Sequence, residues 1–253
     1  MERTSVHSRG PSKTRDVTPY GFLPTLPRQG RGRTTQRVQD IIRDAIVSLA
    51  FTPGEFIQKD AVCRRLGVSR FPVSEALGRL ADEGFVEVLP QRGTRVTRID
   101  IVSCRQAMFI RQALEGEAMR VIAPRATDTL IDRLQQNLAE QKLAIERGNA
   151  VWFAQLDHGF HDLLLSELGY DHVRTAVEAA RGSLNRTRMF LLRTAERQTE
   201  NHREHTDILD ALKAHDADAA RRAMKAHLDR SLDEIEAGAA DNPDVFALAP
   251  ASP

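Results

Sequence analysis

The sequence predicts a mainly α protein in two unlike parts. A front unit of three helices is closed by a two-stranded ribbon, and an antiparallel all-helical bundle of six helices follows it. Three observations carry this. Apolar residues recur at helical spacing over most of the 253 residues. Only the stretch around residues 85–99 reads as paired strands about a Pro-Gln-Arg-Gly turn. Charge also divides the chain: residues 1–100 carry 17 Lys and Arg against 11 Asp and Glu, and residues 101–253 carry 19 against 24. A basic front and an acidic back suit two domains with different partners, the front one able to meet nucleic acid or an anionic membrane surface. Two cysteines cannot make a disulfide framework, and a reducing cytoplasm is the simplest compartment. No apolar run approaches the roughly 20 residues of a membrane helix, and the polar N-terminus reads as no secretory signal. Aromatic content of 5% argues against an all-β sandwich or a carbohydrate-stacking surface.

Residues 1–33 are rich in Arg, Thr, Ser, Pro and Gly without periodicity, and read as a disordered basic tail, either a solvated leader or a source of loose phosphate contacts. From Thr34, the residues Val38, Ile41, Ile42, Ala45, Ile46 and Leu49 trace one helical face, which Thr52-Pro53-Gly54 ends. A short helix is expected over Lys59–Leu66, then a tight turn at Gly67. A third helix is expected from Arg70 to Glu83, with Val73, Ala76, Leu77 and Leu80 inward. Pro72 suits its first turn, where backbone N–H groups lack helical partners. Strands follow at Phe85–Leu89 and Thr94–Ile99. This order is a winged helix-turn-helix over residues 34–99: one helix enters the major groove with its first turn against base edges, and a basic hairpin tip reaches the flanking groove or backbone.

Beyond Ile99 six helices are expected: Arg105–Ile122, Thr127–Arg147, Ala150–Leu168, Asp171–Arg193, Ala195–Ala214 and Ala217–Ala237, punctuated by Pro124, Gly148-Asn149, Gly169 and Gly238. Their lengths and short joints imply an antiparallel bundle over 104–237, with 238–253 a flexible tail.

The run Leu66-Gly67-Val68-Ser69-Arg70-Phe71-Pro72-Val73-Ser74-Glu75-Ala76-Leu77, with Leu80-Ala81-Asp82-Glu83-Gly84-Phe85-Val86 and Gln91-Arg92-Gly93-Thr94-Arg95-Val96, resembles the DNA-binding domain of GntR-family transcription regulators. The second part resembles the FCD effector domain of the FadR-type subfamily. It carries Arg111-Gln112-Ala113-Leu114-Glu115, Asp157-His158-Gly159-Phe160-His161, Glu204-His205 and His227-Leu228. Six helices resemble the VanR-like branch. The resemblance implies a homodimer on a double-stranded, pseudo-palindromic operator. One departure stands out: many relatives carry Arg where this chain has Ser74, which removes a charge and a bidentate donor from the reading helix.

Arg70, in the first turn of that helix, is the first choice for base readout, since Arg pairs with guanine O6 and N7. Phe71 suits contact with a thymine methyl. Ser69 either touches phosphate or caps the helix. Arg64, Arg65 and Arg79 either touch phosphates or face solvent. Arg92, Gly93 and Arg95 form the wing tip, where glycine allows close backbone approach. Cys63 reads as packing.

Seven of the eight histidines lie beyond residue 150. Helical geometry puts Asp157 and His161 one turn apart at the edge of an apolar stripe, His205 in the middle of one, and His227 beside a third, while His158 points away. One carboxylate and three imidazoles on three helices can therefore converge, a donor set that suits a divalent transition metal (Zn, Ni, Mn or Fe). Many FCD domains bind metal with this pattern, so the resemblance adds weight. Positions left open on the ion suit a small carboxylate effector. Arg111 either grips its far end or pairs within its helix with Glu115.

The leading expectation is a ligand-responsive transcription regulator and no enzyme. An effector in the bundle alters operator binding through the joint at Arg98–Ser103. The alternatives are a metalloenzyme of the helical-bundle type, against which stands the lack of a His-Glu-x-x-His motif, and a pure metal sensor.

Overall fold

The computed structural model describes residues 19–27 and 31–247. Helices α1 (Arg31–Val47), α2 (Lys59–Leu66) and α3 (Arg70–Asp82) form the front unit. Val38, Ile42, Ala45 and Ile46 of α1 share one core with Val73, Ala76, Leu77 and Leu80 of α3. Burying each large apolar side chain contributes about 1.5–3 kcal/mol. Gly67 ends α2 at φ 71°, a left-handed turn that glycine takes without strain, and so sets the tight joint into α3.

The ribbon has three strands, one more than expected. Strands β1 (Phe56–Ile57), β2 (Val86–Leu89) and β3 (Gly93–Val96) form an antiparallel sheet in the order β1-β3-β2, with Val86 opposite Val96 and Phe56 opposite Arg95. The turn at Thr52–Glu55 folds β1 onto β3, with Gly54 N donating to Val96 O at 2.9 Å and Val96 N to Glu55 O at 2.9 Å. Strand β3 therefore ends at Val96.

The bundle comprises α4 (Ile101–Ile122), a 3-10 turn at Ala123–Arg125, α5 (Asp128–Glu146), α6 (Ala150–Leu168), α7 (Asp171–Ser183), α8 (Asn185–Leu191), α9 (Ala195–Lys213) and α10 (Ala217–Asp241). Helix α4 packs against α6, α7 and α10, while α5 packs against α6 and α9. Side-chain caps from Asp100, Thr127, Asn149, Thr194 and Asp216 start five of these helices. The Asp100 cap is why α4 begins four residues before the expected Arg105. No helix among the described residues is long and apolar enough to cross a membrane.

Three expectations are corrected. The predicted helix Asp171–Arg193 is two helices, broken at Leu184 after Gly182-Ser183, a pair with weak helix preference. The break turns Leu184 and Thr187 into the interior.

Part of the expected N-terminal tail is docked. Leu23 is buried, Tyr20 and Phe22 stack edge-on against Phe51, Gln58 N donates to the Tyr20 hydroxyl, and Leu26 N donates to Leu66 O. Its apolar residues find a groove on the front unit, which their isolation in a polar stretch concealed. The rest of that tail, 1–18 and 28–30, lies outside the described residues.

The expected C-terminal tail is also partly held. After α10, strand β5 (Phe246–Ala247) pairs in parallel with β4 (Ile99–Asp100), and Phe246 is buried edge-on against Phe190 of α8 at 5.2 Å. The expected tail beyond residue 247 lies outside the described residues.

A docked tail makes a direct prediction. Phe246→Ala should lower unfolding stability by about 3 kcal/mol, the range for a buried Phe, in urea denaturation followed by circular dichroism. An unchanged midpoint would mean that the segment contributes no packing.

Candidate metal centre and nucleic-acid interface

Helix α6 presents Asp157 and His161 one turn apart, α9 presents His205 and α10 presents His227, and all four are buried. One ligand atom from each lies within 4.8 Å of the others. The three rings crowd together, with centroids 5.3 Å apart for His161–His205, 5.2 Å for His161–His227 and 4.8 Å for His205–His227. Phe160 stacks on His205 at 4.1 Å and forms an apolar wall.

Each ring has an oxygen on its Nδ1. His161 Nδ1 donates to Glu115 Oε2 of α4 at 2.6 Å, His227 Nδ1 to Glu204 Oε2 of α9 at 2.8 Å, and His205 Nδ1 to Gln141 Oε1 of α5 at 3.2 Å. An oxygen on Nδ1 fixes the tautomer and leaves Nε2 as the lone-pair atom, the arrangement that orients metal-binding imidazoles. His205 Nε2 is buried with no hydrogen-bond partner and lies 3.7 Å from Asp157 Oδ1. A buried polar atom left unpaired costs free energy, and a cation at this point would relieve it. The residues present fit a divalent metal.

Electrostatics agree. Burial holds the His161 imidazole down to about 4 and the His205 imidazole well below its ordinary range. Burial, the largest single influence on Asp157, opposes its ionisation, but Arg188 together with His205, His161 and His227 outweighs it and holds the carboxyl well below the usual range. Burial likewise opposes ionisation of Glu115, and Arg111 and His161 together outweigh it, so the carboxyl is held well below its usual range. At neutral pH these four groups are two neutral imidazoles and two carboxylates, the protonation states that metal coordination requires.

Beside the cluster lies a cavity of about 40 Å³, lined in part by Arg111, Arg188, Arg197 and Asn201. Arg111 is buried and does pair within its helix, Nε to Glu115 Oε1 at 2.6 Å, yet its Nη2 also lies 3.4 Å from His161 Nε2. The intrahelical pair with Glu115 is thus the arrangement present. Arg188 Nε lies 3.5 Å from Asp157 Oδ2. Glu115, Gln141, Glu204, Arg188 and Arg197 were not singled out for this site by sequence. Gln141 had a signal: it is a polar residue on the apolar face that Leu134, Leu138 and Ala144 give α5.

On the front unit, Arg70 and Phe71 at the start of α3 are exposed, while Pro72 and Val73 turn inward. Phe71 is 75% exposed, unusual for a phenylalanine and apt for a base contact. Ser69 occupies the cap position but makes no side-chain cap bond, so its hydroxyl is not spent on the helix. Arg70 forms a two-point pair with Asp60. Ser74 and Arg64 are exposed and line the same groove as Arg70. Arg65 lies elsewhere: its Nη2 donates to Gly21 O and pins the N-terminal segment. Arg79 pairs with Glu75 along α3. In the wing, Arg92 and Gly93 are exposed at the tip, Gly93 has φ 107°, and Arg95 pairs with Glu87 across the ribbon. Cys63 is buried, as expected for a packing residue.

Comparison with known proteins agrees with this division. The profile for bacterial regulatory proteins of the gntR family matches residues 34–96, and that for the FCD domain matches residues 106–230. The HTH-type transcriptional repressor RspR of Escherichia coli K12 is 34% identical over 212 residues, covering 84% of this chain and 93% of the relative. An HTH-type transcriptional regulator of Streptomyces ambofaciens is 34% identical, covering 87% and 92%. Among solved structures, a transcriptional regulator from Rhodococcus sp. RHA1 superposes with TM-score 0.64 at 24% identity (80% and 97% covered), and E. coli McbR/YncC with TM-score 0.62 at 20% identity (81% and 97% covered). The two relatives at 34% identity are, by name, transcription regulators.

The cluster predicts metal uptake. Elemental analysis after loading and dialysis should find about one divalent ion per chain, and little in a His205→Ala/His227→Ala variant. Metal at 100 times its Kd should stabilise the parent by about 2.7 kcal/mol and leave the variant unmoved. Equal melting of parent and variant, with and without metal, would contradict the site.

Proposed function

The chain belongs to the gntR family of bacterial regulatory proteins and carries an FCD domain, and from that premise we propose a metal-dependent regulator whose buried centre sets its grip on an operator. The observation that carries this reading is the short helix α8, which touches all the relevant parts. Arg188 on α8 faces Asp157 of the cluster. Arg186 on α8 donates to Thr97 O at 2.7 Å, at the base of the wing, and its guanidinium lies over the Phe85 ring. Helix α8 also packs against α1 of the front unit. A change at the centre therefore reaches the DNA-binding unit through α8 as well as through the covalent joint at Arg98–Ser103.

Asp157, His161, His205 and His227 would hold the ion, with Zn, Ni, Mn or Fe all compatible with the donor set. A bound ion would supply positive charge and open positions for an anionic ligand. Arg111, Arg188 and Arg197 line the adjoining cavity, each already facing an acid, Glu115, Asp157 and Glu204 in turn, so it is the ion's own charge that would make the potential there positive. A small carboxylate suits that potential, with Arg111 and Arg188 placed to orient it. An effector that prefers one arrangement of the two domains shifts operator occupancy by its differential affinity. The small cavity volume favours a second reading, a sensor of the metal itself with water as the only other ligand.

On DNA, Arg70 reads a base, Phe71 touches a thymine methyl, and Ser69, Ser74, Arg64, Arg92, Gly93 and Arg95 supply backbone and groove contacts. Arg65 gives one donor to Gly21 O and keeps the rest for a phosphate. The protein acts in the cytoplasm as a homodimer, each protomer on one half of a pseudo-palindrome. It falls in the VanR-like branch if α7 and α8 together fill the place of one bundle helix.

Anisotropy titration tests the DNA assignment. The duplex is one that the full chain selects from a randomised pool. Affinity should fall steeply with salt. Arg70→Ala should lose about 10- to 100-fold on the selected duplex and relax one base position. Full specificity in that variant would remove Arg70 as the reader.

A further inference from the structure

The DNA-facing groove between the starts of α2 and α3 is lined by Gln58, Lys59, Asp60, Arg64, Arg70 and Ser74. Asp60 is the one acid among the described residues that line it. An acid there opposes phosphate, so its place needs a reason. Its side chain makes a two-point contact with Arg70: Nε donates to Oδ1 at 2.8 Å and Nη2 donates to Oδ2 at 2.7 Å. Both partners are largely exposed, 54% for Asp60 and 78% for Arg70, and an exposed ion pair of this kind adds little to folding.

A guanidinium has five N–H donors in a rigid fork. The contact with Asp60 uses the Nε edge, and three N–H groups remain, two on Nη1 and one on Nη2. That remaining edge has the spacing that matches guanine O6 and N7. Arg70 projects from the first turn of α3 on a flexible stem, and nothing packs it in place. Asp60 fixes the plane of the guanidinium before DNA arrives and so reduces the ordering cost of binding.

We infer that Asp60 is a positioning residue for base recognition: it aims the free edge of Arg70 into the major groove and so sets specificity without touching a base. This rests on the reading of Arg70 as the base-contacting residue. Asp60 also lies in the first turn of α2, where a negative charge favours a helix start. That plainer role would change helix stability and leave sequence discrimination unaltered.

The two roles differ in sign on DNA. If Asp60 acts only as a charge, Asp60→Ala strengthens binding to any duplex, because a repulsion is gone. If it aims Arg70, Asp60→Ala weakens binding to the selected duplex while a scrambled duplex binds as well as before or better. The full chain, loaded with metal, is titrated on both duplexes in the parent, Asp60→Ala, Asp60→Asn, Arg70→Ala and the double variant. The expected result is about a tenfold loss for Asp60→Ala on the selected duplex, with unchanged or tighter binding to the scrambled one. Asp60→Asn, which removes the same charge but keeps one acceptor for Nε, should recover part of that loss. In the Arg70→Ala background, Asp60→Ala should cause no further loss. The scrambled duplex also reports that each variant is folded.

Equal tightening on both duplexes by Asp60→Ala, with Arg70→Ala still losing discrimination, would overturn the positioning role and leave Arg70 as the reader. Full discrimination in Arg70→Ala would overturn the reader and the positioning role together.

Discussion

Three imidazoles buried around one point are the constraint on which the rest of the bundle depends. A buried imidazole is tolerable only if both nitrogens are satisfied. Here Nδ1 of each ring is tied to an oxygen from a different helix: Glu115 on α4, Gln141 on α5 and Glu204 on α9. Five helices are thereby drawn to one centre, with α6 and α10 supplying the rings of His161 and His227. The remaining nitrogens face inward, and the unpaired Nε2 of His205 marks the unmet demand. A polar centre of this kind specifies one arrangement of helices more sharply than apolar packing does, because a slip by one turn would bury charge without a partner. The cost is a bundle whose interior is incompletely satisfied by its own side chains, and that cost is what couples the fold to a ligand.

The same centre lies close to the joint between the domains. Helix α8 is only Asn185–Leu191, yet Arg186 holds Thr97 of the wing base, Arg188 faces Asp157, and Phe190 meets Phe246 of the docked tail. Strand β5 of that tail in turn pairs with β4, the connection between the two domains. Gly238 belongs to this contact as well, since a Cβ there would lie 2.9 Å from Phe190 Cε1. The path from the proposed ion to the DNA-binding unit is therefore two side chains long, through a helix too short to be stable alone. Such an element takes its position from its neighbours and can move with them.

Much of this was legible in the sequence, for identifiable reasons. The apolar stripes of α1 and α3, the glycine turn at Gly67 and the basic hairpin specify the front unit by local rules. Asp157, His161, His205 and His227 were legible because helical periodicity places them on apolar faces, where polar residues need a purpose. What stayed hidden depended on tertiary contact. Tyr20, Phe22 and Leu23 sit in a polar stretch, and only the groove beside Phe51 gives them a place. Phe246 is one apolar residue after a helix end, and its partner Phe190 lies 56 positions earlier. The break at Leu184 had a local cue in Gly182-Ser183, but the apolar pattern on both sides outweighed it. Glu115, Gln141 and Glu204 became partners of the rings only when five helices were in register. Asp60 and Arg70 lie on different helices, and the turn at Gly67 is what brings them together.

All of this turns on a metal held by three imidazoles and one carboxylate inside the bundle. X-ray absorption at the metal edge of the loaded full chain tests it most directly, because imidazole rings give a distinct outer-shell scattering pattern. Three imidazole nitrogens and at least one oxygen should surround the metal, with one imidazole lost in the His227→Ala variant. A first shell of oxygen alone, or an imidazole count that His227→Ala leaves unchanged, would contradict it.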